Sequence, residues 1–311
     1  MGGSGGGFFS GRQTPSDLRR QVRQAEDEAR GDRFETEVSE NIDSLLTEAN
    51  QRNIEAIQEH MDTIIGAIEA EIDGSVSLLF GGSVAKHTYV DGLSDVDALV
   101  ILNRSELEGL DPAEVKAFFA QRLRDRFPGT QVSEGTLAVT VIFADATVQL
   151  LPAIRVRQGV RIPQADGKSW SPVVHPKRFA DKLTQVNKGV NGKLVPTIKI
   201  AKSIIAQLPE RQRLTGYHVE SLAIQVFERY DGTMTTKAML RHFFTEAQRH
   251  LRQPIKDSTG QSVHVDDYLG GANSLPRRFI ADSIARVGRS MQNADGAQSV
   301  KQWQDILGEL P

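Results

Sequence analysis

Phe80-Gly81-Gly82-Ser83 is followed, after eleven intervening residues, by Asp95-Val96-Asp97. A strand that runs into two glycines and a serine lets its backbone approach a ligand closely and offer N–H groups to phosphate oxygens. Asp95 and Asp97 are two apart, so on a strand both carboxylates leave the same face. Two acids that close repel each other unless a cation lies between them. A hard, oxygen-seeking ion such as Mg²⁺ suits that place and bridges to the phosphates of a nucleotide. A phosphate cradle beside a two-carboxylate metal clamp is equipment for in-line phosphoryl or nucleotidyl transfer. Asp-x-Asp alone is common; the glycine-serine turn at this spacing, with strands before and after, gives the pattern its meaning.

The elements that must position these groups follow from periodicity. Phe34, Val38, Ile42, Leu45, Ala49, Ile54, Ile57, Met61, Ile64, Ile68 and Ile72 recur every three to five residues, an apolar stripe along one long helix or two stacked ones. Ser75–Phe80 and Val96–Leu102 read as strands, and Asp111-Pro112 as the N-cap and first position of a helix ending near Phe127. Two more strands are expected near Leu137–Phe143 and Thr147–Ile154, joined by Ala144-Asp145-Ala146. Helices are expected near 177–188, 194–207, 217–230, 235–250, 275–293 and 298–309, with no internal repeat. The opening MGGSGGG reads as a flexible tail, since a phosphate loop needs a strand before it.

The 311 residues are 39% apolar and 25% charged, the balance of a globular chain with a real core. Lys and Arg number 37 against 40 Asp and Glu, which argues against a wholly basic nucleic-acid coat but allows a local basic groove. Residues 15–74 hold sixteen acids and six bases, whereas 176–214 hold nine bases and two acids. The first is most simply a solvated helical face. The second forms a positive wall for polyphosphates, a track for an oligonucleotide backbone, or ordinary solvated surface. No cysteine is present, which excludes disulfides, cysteine-ligated zinc, iron–sulfur clusters and a thiol nucleophile. No apolar run approaches the ~18 residues of a membrane span and no signal-peptide pattern opens the chain, so a soluble cytoplasmic protein is expected.

GGSVAKHTYVDGLSDVDALVIL resembles the signature of the polymerase-beta-like nucleotidyltransferases, and within them the bacterial cGAS/DncV-like branch, the CD-NTases. TVQLLPAI is similar to the strand that carries that family's third acid. The run through Trp170 and His175-Pro176-Lys177, then VPTIKIAKSII and LTGYHVESLAIQVF, resembles its connection and its lysine-bearing and Tyr-His-x-Glu helices. The likeness covers roughly residues 60–230 well and the remainder more loosely. It implies an α+β fold: a nucleotidyltransferase palm, a mixed sheet with flanking helices, plus a C-terminal all-helical lobe closing over the nucleotide. Its division would be a flexible tail at 1–12, the core with its long N-terminal helices at 13–177, and the lobe at 178–311.

By the same resemblance Gly82 and Ser83 hold the triphosphate of an NTP or dNTP, and Asp95 and Asp97 ligate Mg²⁺, with Mn²⁺ as an alternative. Lys202 and also Lys199 reach the phosphates, and Tyr217 lies near the base or ribose. The implied activity is template-independent synthesis of a cyclic or short linear oligonucleotide, an antiphage signal controlling a separate effector protein. Alternatives are nucleotide transfer to an RNA, DNA or protein acceptor, and a nucleotide-holding regulatory protein. The oligomeric state is left open, because an apolar stripe serves packing or assembly alike.

One departure stands at Gln149, where the family carries its third acid. An amide coordinates through oxygen but accepts no proton from an attacking hydroxyl. The chain is then an inactivated variant, a natural member with altered chemistry, or a nucleotide-binding pseudoenzyme. Asp145 belongs to the expected turn and is a poor substitute; Glu134 is not placed by sequence. His87 and His218 are read as an exposed loop residue and a packing residue, Trp170 as a hydrophobic anchor, and Asp266-Asp267 as a solvated loop pair.

Overall fold

The structure, a computed structural model, describes residues 15–50, 54–69, 75–80, 88, 96–103, 106–164, 166–255 and 265–308. The apolar stripe belongs to two helices, α1 (Pro15–Glu48) and α2 (Ile54–Glu69). Among the described residues six strands make one mixed sheet: β1 (Ser75–Phe80), β2 (Val96–Asn103), β3 (Gln131–Glu134), β4 (Val139–Ile142), β5 (Thr147–Val156) and β6 (Gly159–Arg161). The order is β1-β2-β5-β4-β3, with β6 on the far end of β5. Only the β2–β5 pair is parallel, and the helix α3 (Pro112–Arg126) lies in the connection such a pair requires.

Local chemistry starts these elements where the sequence indicates. Asp111 accepts the Glu114 N–H and Glu114 accepts the Asp111 N–H, each at 2.9 Å, closing a capping box ahead of Pro112. The β4–β5 hairpin closes through Phe143 N–H to the Ala146 carbonyl at 2.8 Å. Two strands have no counterpart in the sequence reading. β3 is a mostly exposed edge strand, QVSE, and β6 has three residues, so neither carries an alternating apolar signal long enough to register.

The second half is helical: α4 (Pro176–Gly189), α5 (Leu194–Ala206), α6 (Gly216–Phe227), α7 (Thr236–Leu251), α8 (Leu275–Gly296) and α9 (Val300–Leu307). Thr215, Thr235, Ser274 and Ser299 cap α6, α7, α8 and α9, each side-chain oxygen accepting an N–H three residues on. Gly288 lets α7 and α8 pack closely, since a Cβ there would lie 3.0 Å from the Phe244 carbonyl oxygen.

The single stripe of the sequence serves two different cores. Ile57, Met61, Ile64 and Ile68 of α2 pack with α3 and one face of the sheet, among Val100, Leu102, Val148 and Leu150. Phe34, Val38, Ile42 and Leu45 of α1 pack instead with the C-terminal helices. The grouping of both N-terminal helices with the sheet is therefore corrected for α1. A 3.6-residue period shows that a face is buried, not which surface covers it. Lys237 of α7 fastens α1 in place: its ammonium is 2.5 Å from Glu35 and 2.9 Å from Asp295 and lies over the Phe34 ring at 4.1 Å.

Asp266 is a second correction. It is 3% exposed, and its carboxylate accepts from Arg277 at 2.8 Å and from the Ile255 N–H at 2.7 Å. Only its neighbour Asp267 is exposed. Trp170 anchors its segment as expected, its indole N–H donating to the Leu110 carbonyl at 2.9 Å beside the sheet core. No described helix is long and apolar enough to cross a membrane.

Candidate active site

Of the residues expected to do chemistry, Gly82, Ser83 and Asp95 lie outside the described residues, as does the loop residue His87. Asp97 is placed through its backbone on β2, where its Cα pairs with that of Gln149 on β5. Gln149 pairs on its other side with Thr140 of β4. Its neighbours Val148 and Leu150 are fully buried against the α2/α3 side, so the half-buried Gln149 occupies the opposite face by strand alternation. Sheet topology thus sets Gln149 directly beside Asp97, the second acid of the motif.

Neither alternative carboxylate occupies that position. Asp145 sits at the β4–β5 turn, 2.7 Å from His60 Nε2 of α2, and the His60 ring stacks on Phe143 at 4.0 Å. Glu134 lies on β3, at the other end of the sheet from β1, and pairs with Arg124 at 3.1 Å.

The lysines and the tyrosine come from α5 and α6. Lys202 is 7% exposed and donates to Glu220 Oε1 of α6 at 2.7 Å and to the Thr88 carbonyl at 3.0 Å. The Thr88 hydroxyl donates to the same Glu220 oxygen at 2.5 Å. Thr88, 0% exposed, belongs to the segment between β1 and β2 that contains the glycine-serine turn and Asp95. One carboxylate of the helical half therefore binds both Lys202 and Thr88.

Lys199 donates to Asn50 Oδ1, just past the end of α1. Burial, and secondarily the charge of Lys202, hold its ammonium below the usual lysine range. Lys199 and Lys202 are thus electrostatic neighbours whose ammonium groups are turned to different partners. Tyr217, in the first turn of α6, packs its ring on Phe179 of α4 with centroids 4.8 Å apart. His218 is buried, as its packing role required; its Nδ1 lies 2.9 Å from the Tyr268 hydroxyl, and among the described residues Nε2 has no hydrogen-bond partner. Burial lowers its pKa to about 4, so the imidazole is neutral at pH 7.

Three of the nine bases in the run 176–214 are engaged by side chains of other elements. Lys182 pairs with Glu228 at 2.5 Å, and Lys199 and Lys202 are directed inward, leaving Lys177, Arg178, Lys188, Lys193, Arg211 and Arg213 exposed. Glu220, the glutamate of the Tyr-His-x-Glu run, is given no role of its own by the sequence. Its signal was present, because it is the one acid in the twelve residues of α6, GYHVESLAIQVF, and an acid buried on such a helix needs a partner.

No protein-family model and no curated protein sequence matches the chain. Solved structures match its fold. CdnC from E. coli MS115-1, determined with ATP, is 16% identical with a TM-score of 0.60, over 86% of this chain and 92% of that one. The Vibrio cholerae DncV cyclic AMP-GMP synthase, in complex with the linear intermediate 5′ pppA(3′,5′)pG, is 11% identical at TM-score 0.61, over 96% and 91%. The Bradyrhizobium diazoefficiens CD-NTase CdnG in complex with GTP is 12% identical at TM-score 0.61, over 81% and 87%. A mixed sheet that pairs Asp97 with Gln149, flanking helices and a helical C-terminal half: this chain has the fold of the cGAS/DncV-like nucleotidyltransferases.

Proposed function

We propose that the chain is a template-independent nucleotidyltransferase that joins NTPs or dNTPs into a cyclic or short linear oligonucleotide. The observation that supports this reading is the β2–β5 register within a CD-NTase fold, which pairs Asp97 with Gln149, the residue read here as the third-acid position. Nucleoside triphosphates and a linear dinucleotide in the similar structures support the substrate class.

In this reading Asp95 and Asp97 hold Mg²⁺ or Mn²⁺, Gly82 and Ser83 receive the triphosphate, and Tyr217 borders the base or ribose. Lys199 and Lys202 supply positive charge from the helical half. The donor set fits the metal: Gln149 adds a neutral oxygen donor of the kind Mg²⁺ accepts, with one negative charge fewer than an acid would bring. When bound, the ion neutralises polyphosphate charge and strengthens the acidity of an attacking hydroxyl. The chain contributes alignment, which in phosphoryl-type transfers carries most of the catalysis. The product acting on a separate effector protein in antiphage defence belongs to the same proposal, on the strength of the motif resemblance.

Gln149 favours a second reading, a nucleotide-holding protein with little turnover, because its amide accepts no proton from the acceptor hydroxyl. A product assay separates the two. Purified protein is incubated with four NTPs and four dNTPs and Mg²⁺ or Mn²⁺, the products are read by mass spectrometry, and Asp95→Ala/Asp97→Ala serves as control. An oligonucleotide absent from the control supports synthesis. Metal-dependent nucleotide binding without product, with turnover in Gln149→Asp, supports the second reading. Silence in all of these turns the search to an RNA, DNA or protein acceptor.

A further inference from the structure

We infer that the N-terminal half of α1 is a self-association surface, on which a second copy of this chain lays the same helix antiparallel. The inference is independent of the nucleotide chemistry. Residues 19–30 are all exposed, more than three helical turns with no face covered among the described residues. Phe34 is the first buried residue of α1 among those described, so the helix before it extends about 28 Å from Pro15 at 1.5 Å per residue. A helix with no covering surface lacks the packing that supplies most helical stability in proteins.

The charge pattern selects the occupant. The stretch RRQVRQAEDEAR at 19–30 sets Arg19, Arg20 and Arg23 ahead of Glu26, Asp27 and Glu28. A partner of one charge sign would satisfy one block and meet repulsion from the other. Val22, 55% exposed, shares a face with Ala25 and Ala29, three and seven residues on, and Arg19 and Glu26 line one edge of that face. Among the described residues Arg19, Arg23, Glu26 and Arg30 make no ion pair within the chain. A second copy in parallel would set Arg19 beside Arg19 and Glu26 beside Glu26, like charge against like. Turned antiparallel, with Val22 against the other copy's Ala25, each Arg19 faces the other copy's Glu26, and on the opposite edge Gln21 faces Glu28. The two-fold axis repeats both contacts, as an isologous pair requires.

The test follows the full chain by sedimentation velocity over a concentration series from about 1 to 200 µM, with thermal melting as the folding control. The parent should form a concentration-dependent dimer that weakens as salt is added. Arg19→Glu and Glu26→Arg should each weaken self-association about tenfold or more at an unchanged melting temperature. An equimolar mixture of the two variants should dimerise, because the reversed charges then complement across the pair. The chain has no cysteine, so orientation can be read without background: Val22→Cys mixed with Ala25→Cys should cross-link between copies faster than either variant alone. A parent that stays monomeric throughout overturns the inference, as does a dimer untouched by either charge reversal, which would place the contact on another surface. Faster cross-linking within each variant alone than in the mixture overturns the antiparallel arrangement.

Discussion

Asp97 and Gln149 are lateral neighbours on two parallel strands, one on β2 and the other on β5, with paired Cα positions. In the nucleotidyltransferase reading proposed above, Gln149 puts an amide where a third acid would complete the site. Gln149→Asp is expected to raise nucleotide turnover on the order of 10²-fold, the scale of a positioned general base. Pyrophosphate release with ATP and Mg²⁺ measures it. The same variant should melt at a lower temperature than the parent without Mg²⁺ and recover when Mg²⁺ is added, because a third carboxylate repels the others until a cation joins them. An unchanged rate and an unchanged response to Mg²⁺ would remove Gln149 from the site.

Arg277 joins the segment before α8 to the rest of the helical half. Its guanidinium donates to Asp266, to the Gly270 carbonyl at 2.9 Å and to the Gln253 carbonyl at 3.1 Å, and the residue is 1% exposed. Removing one partner strands a buried charge, so Arg277→Ala and Asp266→Ala should each cost about 3–5 kcal/mol in urea unfolding. Arg277→Lys should recover little, since one ammonium cannot reproduce a planar fork that reaches six acceptor atoms.

His218 makes stability depend on acid. Burial, opposed by Asp266 and reinforced by Arg277, lowers its pKa to about 4 from an ordinary 6.5. Above pH 6.5 the ring is neutral folded or unfolded and takes no part in the pH dependence. As pH falls from 6.5 toward 4 the unfolded chain takes up a proton that the folded chain refuses, so stability declines by up to about 3 kcal/mol and the contribution levels off below that window. Denaturant unfolding between pH 5 and 7 should show this slope in the parent and lose it in His218→Asn. A parent slope identical to the variant's would contradict the assignment.

Lys237 is expected to govern how firmly α1 is held. Lys237→Met keeps an apolar side chain of similar length but drops the ammonium that lies over the Phe34 and Trp303 rings and pairs with Glu35 and Asp295. Asp295 keeps Arg241 at 2.7 Å and the Trp303 indole N–H at 2.9 Å, so the cost should stay near 1–2 kcal/mol. Limited proteolysis within 15–48 should quicken in Lys237→Met, with cleavage elsewhere unaltered; uniform quickening would instead mark a general loss of stability.

Much of this molecule is legible in local chemistry. Ser75–Phe80 was bounded to the residue, and the six C-terminal helices fall within a few residues of their periodic stretches. Capping side chains and proline positions act over three or four residues, so they can be read without knowing the partner surface. The motif itself is a spacing in one chain segment, so its likeness to the CD-NTases is legible in the residues alone.

Other features depend on what arrives from far along the chain. Whether Asp266 meets water or Arg277, and whether α1 covers the sheet or the helical half, is decided by packing partners that periodicity does not name. The Thr88–Glu220 bond spans 132 residues, and the pairing of Asp97 with Gln149 exists only once β5 inserts between β2 and β4. Sequence determined the inventory of this protein: strands, helices, caps, and a glycine-serine turn ahead of two acids with an amide at the third place. Tertiary structure alone decided which charges are buried together, because desolvation and ion pairing act through space and carry no period along the chain.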